Sequence, residues 1–404
     1  MLWNAVAMNF FATGMAWTYV VVLVAPILGD LELGLRDWGT LWSGISMGAL
    51  LGAVPAGVLG DRFGVRSVVT IGALAMAAAL GLRALAADFA TLLAAMVLYG
   101  VTLTLVATNL PKAIGLWFPA RELGLANGLA LGGNGAGQGL ATFLAPLLLA
   151  HVGGWRGLTF AIAFAVAALA LVWVATVRDP VRAQPATTPA ASGTEAPSIV
   201  AGLGSIFRIR EVWLLAASYF FFLAGYIGVV GYLPTYLVTV QGFEPAQAGA
   251  MLSVVLAAYV VGSLILPAYS DRIGLRRRVY VPGVVVCGIM IIASSMLLGP
   301  ALVLVLAVWG FAAGGIALVF AVPLELARVG PALAGSAVGA TLMAGFLGGF
   351  LSPMIGLALA EANPLYAFVF WSGCYALSAA CFFLLPETGS RGRASPDLLV
   401  TPSR

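Results

Sequence analysis

Residues 57–66 read GVLGDRFGVR, a short cluster of charges and glycines between two long apolar runs. Much of this pattern returns at residues 270–276, which read SDRIGLR. Asp61 and Asp271 are 210 positions apart, and so are Arg66 and Arg276. Because this distance is about half of the 404 residues, the repeat predicts a chain built from two related halves.

The composition predicts that both halves lie in a membrane. Hydrophobic residues make up 62% of the chain and charged residues 8%, whereas a soluble domain carries about 25% charged residues. A water-soluble protein of this size cannot bury so much apolar surface, so lipid is the expected solvent. The net charge of +4 is small and gives no indication of a nucleic-acid partner. The three cysteines fall inside apolar runs, and we predict no disulfide, no metal site and no cofactor.

Twelve apolar runs are long enough to cross a hydrocarbon core of ~30 Å. They lie near 3–28, 38–60, 67–87, 89–110, 123–150, 155–177, 211–238, 247–269, 279–298, 301–324, 332–360 and 365–385. The first run has no basic leader and is expected to remain as a membrane span. With the amino terminus inside, 16 of the 19 basic residues fall on the cytoplasmic side, and the outer side holds Arg36, Arg83 and Arg156. The positive-inside rule therefore predicts a multi-pass protein of the bacterial cytoplasmic (inner) membrane with both termini in the cytoplasm.

The chain is predicted to have four segments. Residues 1–177 form an amino-terminal six-helix bundle, and residues 211–385 form a carboxy-terminal one. Residues 178–210 are a cytoplasmic linker, rich in proline, alanine and threonine, that cannot bury enough apolar surface to fold. The end of this linker, residues 199–210, is either an amphipathic helix on the membrane surface or a plain continuation of the linker. Residues 386–404 form a polar cytoplasmic tail.

The repeated charge cluster lies at the inner ends of the second and eighth spans. Asp61 is expected to accept hydrogen bonds from a helix amino terminus, and Arg62 and Arg66 are expected to pair with acids or phosphates. Small residues before the cluster, including Gly52 and Gly57, let another helix approach closely. We interpret the cluster as a latch that holds one arrangement of the two halves and releases it in the other. The residues assigned to this latch are Gly57, Asp61, Arg62, Gly64, Arg66, Asp271, Arg272, Gly274, Arg276 and Glu325.

The spacing Gly57-x-x-x-Asp61-Arg62-x-Gly64-x-Arg66 resembles the signature loop of the major facilitator superfamily. The twelve spans, the central linker and the half-repeat are also similar to that family, and together they cover the whole chain. The resemblance implies an all-α membrane protein with twelve transmembrane helices in two pseudo-symmetric six-helix bundles, which rock around a site near the bilayer midplane. It also implies that helices 1, 4, 7 and 10 line the cavity and that helices 2, 5, 8 and 11 lie at the interface between the bundles.

Glycine runs provide a further repeat. The fifth and eleventh spans are both rich in glycine, and each contains a proline, Pro146 or Pro353. Glycine costs about 1 kcal/mol in a helix interior. We therefore predict that these spans present closely packed, sliding helix faces.

The middle of the spans is aromatic and amide in character, and we find no ionisable residue at mid-span. Anion porters of the nitrate type carry arginine or lysine there, and drug–proton antiporters usually carry an acid, so this chain departs from both patterns. Aromatic faces with neutral hydrogen-bonding groups suit an uncharged, zwitterionic or cationic solute. The candidate substrate-binding residues are Asn9, Thr13, Trp17, Tyr99, Thr102, Asn134, Gln138, Tyr226, Tyr232, Tyr259 and Trp309. Four other tryptophans are assigned to the aromatic belts at the membrane surfaces, namely Trp3, Trp38, Trp155 and Trp213.

The sequence therefore predicts a secondary transporter rather than an enzyme. It is expected to move a small organic solute by rocker-switch alternating access, as a monomer among membrane lipids. A proton or sodium ion is the candidate coupling ion, with uniport as the other mode. The alternatives are a proton-driven efflux pump for lipophilic drugs and, further, a porter for small organic anions.

Overall fold

The computed structural model describes residues 1–119, 122–177, 209–326, 328–389 and 391. The linker from 178 to 208, with most of its predicted amphipathic helix, and residues 392–404 of the tail lie outside the described residues.

The described residues form twelve long helices, and no strand occurs among them. The first helix, α1, covers Leu2–Val22 and continues as Val24–Asp30. The other helices of the first half are α2 (Leu35–Phe63), α3 (Val65–Ala84), α4 (Phe89–Trp117), α5 (Leu123–Leu148) and α6 (Gly154–Thr176). The helices of the second half are α7 (Arg210–Thr239), α8 (Pro245–Ile273), α9 (Arg277–Met296), α10 (Gly299–Glu325), α11 (Gly330–Ala362) and α12 (Pro364–Phe383).

Within the described residues, 11 helices are long and apolar enough to cross a membrane. The remaining one, α5, has 26 residues, but its glycines and the amides of Asn134 and Gln138 lower its mean hydropathy. The predicted all-helical membrane fold is thus confirmed. The predicted count of twelve spans is matched by eleven apolar helices and one glycine-rich helix of similar length.

Two helices depart from regular α geometry. α1 contains a π-helical segment, Asn9–Met15, followed by a 3₁₀ segment, Tyr19–Val22. α10 contains a 3₁₀ segment, Gly314–Phe320. Such departures weaken the regular hydrogen-bond ladder and often occur at functional sites. Both helices belong to the set that the family resemblance assigns to the cavity wall.

Glycines bring the backbones of α2 and α4 into contact. A side chain at Gly48 would collide with the backbone of Val97 and Gly100, and one at Gly52 would collide with the backbone of Val101. This close approach is the type of packing that small residues allow between membrane helices.

The contact between α8 and α10 repeats this packing. Gly262 of α8 lies 210 positions after Gly52, and Phe311 of α10 lies 210 positions after Val101. A side chain at Gly262 would collide with the backbone of Phe311. The half-repeat seen in the loop motif therefore extends to helix packing.

The glycine-rich helices α5 and α11 pack closely against α1 and α7. A side chain at Gly133 or Gly137 of α5 would collide with the backbone of Val6 or Phe10, respectively. Gly348 of α11 makes the corresponding approach to Phe220 of α7. The predicted close packing is confirmed at these positions, whereas other glycines of the same helices have no atom within 4 Å of an added Cβ.

The chain separates into two compact units. The first unit contains α1–α6 together with Ile227–Ala257 and Gly349–Ala367. The second unit contains the beginning of α7, the residues Ala258–Gly348 and the residues from Phe368 onward. Because α7, α8, α11 and α12 contribute to both units, these units differ from the predicted bundles at 1–177 and 211–385. Those bundle boundaries remain a prediction.

Candidate functional site

Four of the predicted substrate-binding residues form one hydrogen-bonded ladder between α1 and α5. Thr13 Oγ1 donates to the backbone oxygen of Asn9 at 2.9 Å or to its side-chain oxygen at 3.0 Å. Asn134 Nδ2 donates to Thr13 Oγ1 at 2.7 Å, and Gln138 Nε2 donates to Asn134 Oδ1 at 2.6 Å. The ladder reaches into the π-helical segment of α1, so the irregular turn and the polar side chains occupy the same place.

Three tryptophans, one from α1 and two from α2, stack on one another. The rings of Trp17 and Trp42 are 5.8 Å apart, and those of Trp42 and Trp38 are 6.2 Å apart. Trp38 Nε1 donates to the carbonyl oxygen of Gly231, and Trp42 Nε1 donates to that of Ile227, each at 3.0 Å. Within the first unit, α2 is thus joined to α7 by two indole hydrogen bonds.

The assignment of tryptophans to the membrane-surface belts is half right. Trp3 and Trp213 are exposed, as a belt position requires. Trp38 and Trp155 are buried instead: Trp38 donates to Gly231 as described, and Trp155 Nε1 donates to a carboxylate oxygen of Asp30 at 3.2 Å. A tryptophan near a span end fits a lipid belt and a buried helix contact equally well, and the sequence alone did not distinguish them.

The guanidinium of Arg83 occupies the junction of α1, α3 and α4. Sequence analysis counted this residue among the basic residues of the outer side; it lies in the last turn of α3 and is 0% exposed. Its guanidinium carbon is 4.7 Å from the ring centre of Tyr99 and 5.8 Å from that of Tyr19. Tyr99 donates its hydroxyl proton to the carbonyl oxygen of Ala12 at 3.0 Å. Among the described residues, Arg83 is the only charged side chain that is fully buried.

The environment of Thr102 is local to α4. Its hydroxyl donates to the carbonyl oxygen of Tyr99 at 2.9 Å, and the residue is 2% exposed. The hydroxyl is therefore already bonded within its own helix. Of the two α4 candidates, Tyr99 is the one that joins the Arg83 junction.

In the second unit, Tyr226 lies at the centre of an aromatic cluster. Its ring centre is 5.5 Å from that of Tyr259 and 6.2 Å from that of Trp309. Trp309 Nε1 donates to the hydroxyl of Tyr375 at 3.2 Å. The structure thus brings three predicted residues together, one each from α7, α8 and α10. Tyr232 falls in the first unit and lies beside Tyr236 instead, with ring centres 6.0 Å apart.

The first copy of the loop motif connects α2 to α4 and α6. Asp61 forms an ion pair of 2.6 Å with Lys112 of α4, and its side chain is 73% exposed. Arg66 donates to the carbonyl oxygen of Val174 in α6, and Gly64 takes a left-handed φ of 83° that favours glycine at the turn. The expected partner of Asp61 was a helix amino terminus; the observed partner is a lysine.

Among the described residues, Gly57 and Arg62 do not make the contacts that the sequence predicted for them, a close helix approach at Gly57 and a pairing of Arg62 with an acid. An added Cβ at Gly57 would have no atom within 4 Å, so the closest packing of α2 uses other glycines. The guanidinium of Arg62 lies 5.3 Å from the ring centre of Phe63.

The second copy is centred on Arg276. Its guanidinium binds Asp271 and, at 2.7 Å, Glu325 at the end of α10. The hydrogen bonds that Arg276 donates to Glu325 and, to a smaller extent, to Asp271 raise its pKa above the ordinary value, although partial burial opposes this. Gly274 again takes a left-handed φ, 66°, while Arg272 is exposed. The two motif copies therefore share their turn geometry but differ in their ion pairs.

Sequence reasoning missed Arg83, Lys112 and Trp42 as members of these clusters. A signal was present for Arg83, because it lies inside the apolar run 67–87. An ionisable residue within a membrane span is by default a candidate for function. Nothing comparable in the sequence indicates that Trp42 bonds to α7.

Twelve helices, a half-repeat in motif and packing, and polar clusters between the helices define a multi-pass membrane transporter built from two repeated halves. The chain belongs to the Major Facilitator Superfamily, whose family model matches residues 6–353. This membership confirms the family resemblance of the signature loop.

Relatives and solved structures agree with this family. The chain is 30% identical over 360 residues to the probable nitrate/nitrite transporter NarK2 of Mycobacterium tuberculosis, covering 84% of each chain. It is 26% identical over 381 residues to a nitrite extrusion protein of Bacillus subtilis, covering 90% of this chain and 88% of that one. The crystal structure of a bacterial homologue of the human lysosomal transporter Spinster has the same fold, with a TM-score of 0.75 at 15% identity over 95% of this chain and 94% of that one.

Proposed function

We propose that this transporter moves a small anion across the bacterial cytoplasmic membrane by alternating access. The observation that carries the proposal is the buried guanidinium of Arg83, since no carboxylate among the described residues pairs with it. A buried charge without a partner is costly, and an anionic ligand would supply one. The similarity to a probable nitrate/nitrite transporter and to a nitrite extrusion protein favours the same class of solute.

Alternating access requires a set of contacts that close one side and then open. Within the first unit, α2 bonds to α7 through Trp38 and Trp42. On the same unit, Thr142 of α5 and Ser253 of α8 share a hydrogen bond of 2.9 Å. These contacts consist of a few polar hydrogen bonds, and we expect them to break when the side of the transporter that they close opens. The ion pairs of the two motif copies remain our candidates for the latch on the other side.

The experiment is flux into proteoliposomes that contain the purified protein. We expect saturable uptake of at least one of nitrate, nitrite and formate, above the leak of protein-free liposomes. Chloride and the uncharged solute urea serve as controls for charge and for size. No saturable flux of any oxyanion, together with thermal stabilisation by uncharged or cationic solutes, would overturn the proposal.

A second candidate is an uncharged, zwitterionic or cationic organic solute, as the sequence analysis predicted. The cluster of Tyr226, Tyr259 and Trp309 supports it, because aromatic faces bind organic cations. Removing one aromatic wall costs on the order of 1–3 kcal/mol of binding, or roughly 5- to 150-fold in affinity. If this candidate is right, Tyr226→Ala abolishes saturable uptake of the organic solute and leaves the protein folded. Monomeric action and the identity of any coupling ion also remain proposals.

A further inference from the structure

The side chain of Arg83 points into the protein although its helix is about to end. An arginine in the last turn of a membrane helix ordinarily extends toward the membrane surface, where water and headgroups solvate it. Here the guanidinium lies against the rings of Tyr99 and Tyr19, and the residue is 0% exposed. The fold thus holds a positive charge away from water at the α1–α3–α4 junction.

The hydrogen bonds of this guanidinium are incomplete. Nη1 donates to the carbonyl oxygen of Ala16 at 3.4 Å and to the hydroxyl of Tyr19 at 3.3 Å, both long contacts. Nε and Nη2 are buried and have no hydrogen-bond partner in the part of the chain that the structure describes. Buried polar groups in proteins are nearly always bonded, so two unbonded nitrogens with three N–H groups on one side chain require an explanation.

The two unbonded nitrogens, Nε and Nη2, lie on the same edge of the guanidinium. In arginine, the N–H of Nε and one N–H of Nη2 point in parallel directions in the plane of the group. This edge binds carboxylates and other planar oxyanions through two parallel hydrogen bonds.

The neighbouring groups do not supply the missing acceptors. The hydroxyl of Tyr19 bonds to Thr159 at 2.9 Å, and Thr159 in turn donates to the carbonyl oxygen of Trp155 at 2.7 Å. Tyr99 faces the guanidinium with its ring while its hydroxyl bonds to Ala12, and it accepts no hydrogen bond from Nε or Nη2. The aromatic faces offset part of the charge, but they leave the in-plane N–H groups of Nε and Nη2 unbonded.

We propose that the Nε–Nη2 edge of Arg83 binds a small planar oxyanion at the junction of α1, α3 and α4. The site takes one monovalent anion of the size of nitrate or formate, held by two charge-assisted hydrogen bonds. The proposal deepens the proposed function, on which it rests for the idea that the ligand is transported. The same chemistry also suits a resident anion that stays bound, and the experiment separates the two sources.

The first arm of the experiment measures binding. Sodium nitrate and sodium formate are titrated into detergent-purified protein at constant ionic strength, and the melting temperature is followed, with urea as an uncharged planar control. We expect a saturable rise with an oxyanion and none with urea. Arg83→Gln should lose the saturable rise. Arg83→Lys keeps the charge but not the paired donors, and should bind roughly tenfold or more weakly.

A matched control removes an arginine elsewhere. Arg36 is exposed at the start of α2, so Arg36→Gln should bind like the unaltered protein. An equal saturable rise in Arg83→Gln, or no rise with either oxyanion in the unaltered protein, overturns the site. If Arg83→Gln does not fold, the comparison of Arg83→Lys with Arg36→Gln decides, and equal affinities in these two variants overturn the site as well.

The second arm measures flux of the same anion in proteoliposomes. Loss of both binding and flux in Arg83→Gln supports the site and a transported ligand. Loss of binding with unchanged flux supports the site and identifies the ligand as resident. Anion flux in a protein that shows no Arg83-dependent binding refutes the site but leaves the proposed function standing, so the two failures are distinguishable.

Discussion

The two indole hydrogen bonds between α2 and α7 offer a direct test of alternating access. In the double variant Trp38→Phe/Trp42→Phe, the rings remain large and apolar, but the bonds to Gly231 and Ile227 are lost. If α2 and α7 separate during the cycle, these bonds stabilise only the joined state. Their loss should therefore raise the population in which the two helices are apart.

The expected size follows from ordinary hydrogen-bond energies. A neutral hydrogen bond contributes a net 0.5–1.5 kcal/mol or so, and two of them contribute about 1–3 kcal/mol. At 1.4 kcal/mol per factor of ten, the separated population should grow roughly 5- to 150-fold. Trp173→Phe is the matched control, because Trp173 in α6 is equally buried and its indole nitrogen has no hydrogen-bond partner.

The separated state can be detected by cysteine labelling. Ser46 of α2 is buried beside Gly349 of α11. A cysteine at position 46 should therefore react with a maleimide only when α2 moves away from its neighbours in the second half of the chain. The three native cysteines are first replaced by alanine. When opening and closing are fast, the labelling rate follows the open population. A labelling rate in the double variant within twofold of that in the Trp173→Phe control would refute the reasoning.

Other predictions concern the latch and the packing. Asp61→Asn should slow flux in proteoliposomes without lowering the melting temperature much, because an exposed ion pair contributes at most about 1 kcal/mol; unchanged flux would remove the latch role. Gly48→Ala should be less stable than Gly57→Ala by about 1–3 kcal/mol and melt at a lower temperature, because only the methyl group at position 48 collides with the backbone of α4, whereas the gain in helix propensity is common to both variants. Equal melting temperatures would contradict the α2–α4 contact. Glu325→Gln should lower the melting temperature more than Asp271→Asn, because the two carboxylates bind one guanidinium but their side chains are 11% and 64% exposed; a reversed order would show that burial does not set their contributions.

The fold was predictable because membrane insertion leaves a strong pattern in the sequence. The runs predicted at 67–87 and 211–238 became the helices Val65–Ala84 and Arg210–Thr239, within a few residues at each end. A continuous apolar run of about 20 residues satisfies its backbone hydrogen bonds in lipid by forming a helix, so length and hydropathy fix the element without knowledge of its neighbours. α5 fits the same spacing even though its glycines and amides make it less apolar.

Side-chain partners were less predictable, because they depend on how each helix is rotated and placed. From the sequence alone, Asp61 is as compatible with a helix amino terminus as with a lysine. Its observed partner, Lys112, is 51 positions away. The direction of Arg83 was also open, since an arginine one residue from a helix end reaches outward or inward with little change of backbone. The inward direction depends on Tyr19 and Tyr99, which come from two other helices.

Comparison of equivalent positions in the two halves indicates which buried side chains the fold needs for packing. Trp309 lies 210 positions after Tyr99, and both side chains are fully buried. The position 210 after Arg83 is Ala293, which carries no charge, and Trp309 bonds to the hydroxyl of Tyr375 instead. A buried guanidinium is therefore not required to pack α3 or α9 in this architecture, because the second half does without one. Since burying a charge is costly, and the second half packs without one, the asymmetry between the halves supports the proposal that Arg83 binds an anion.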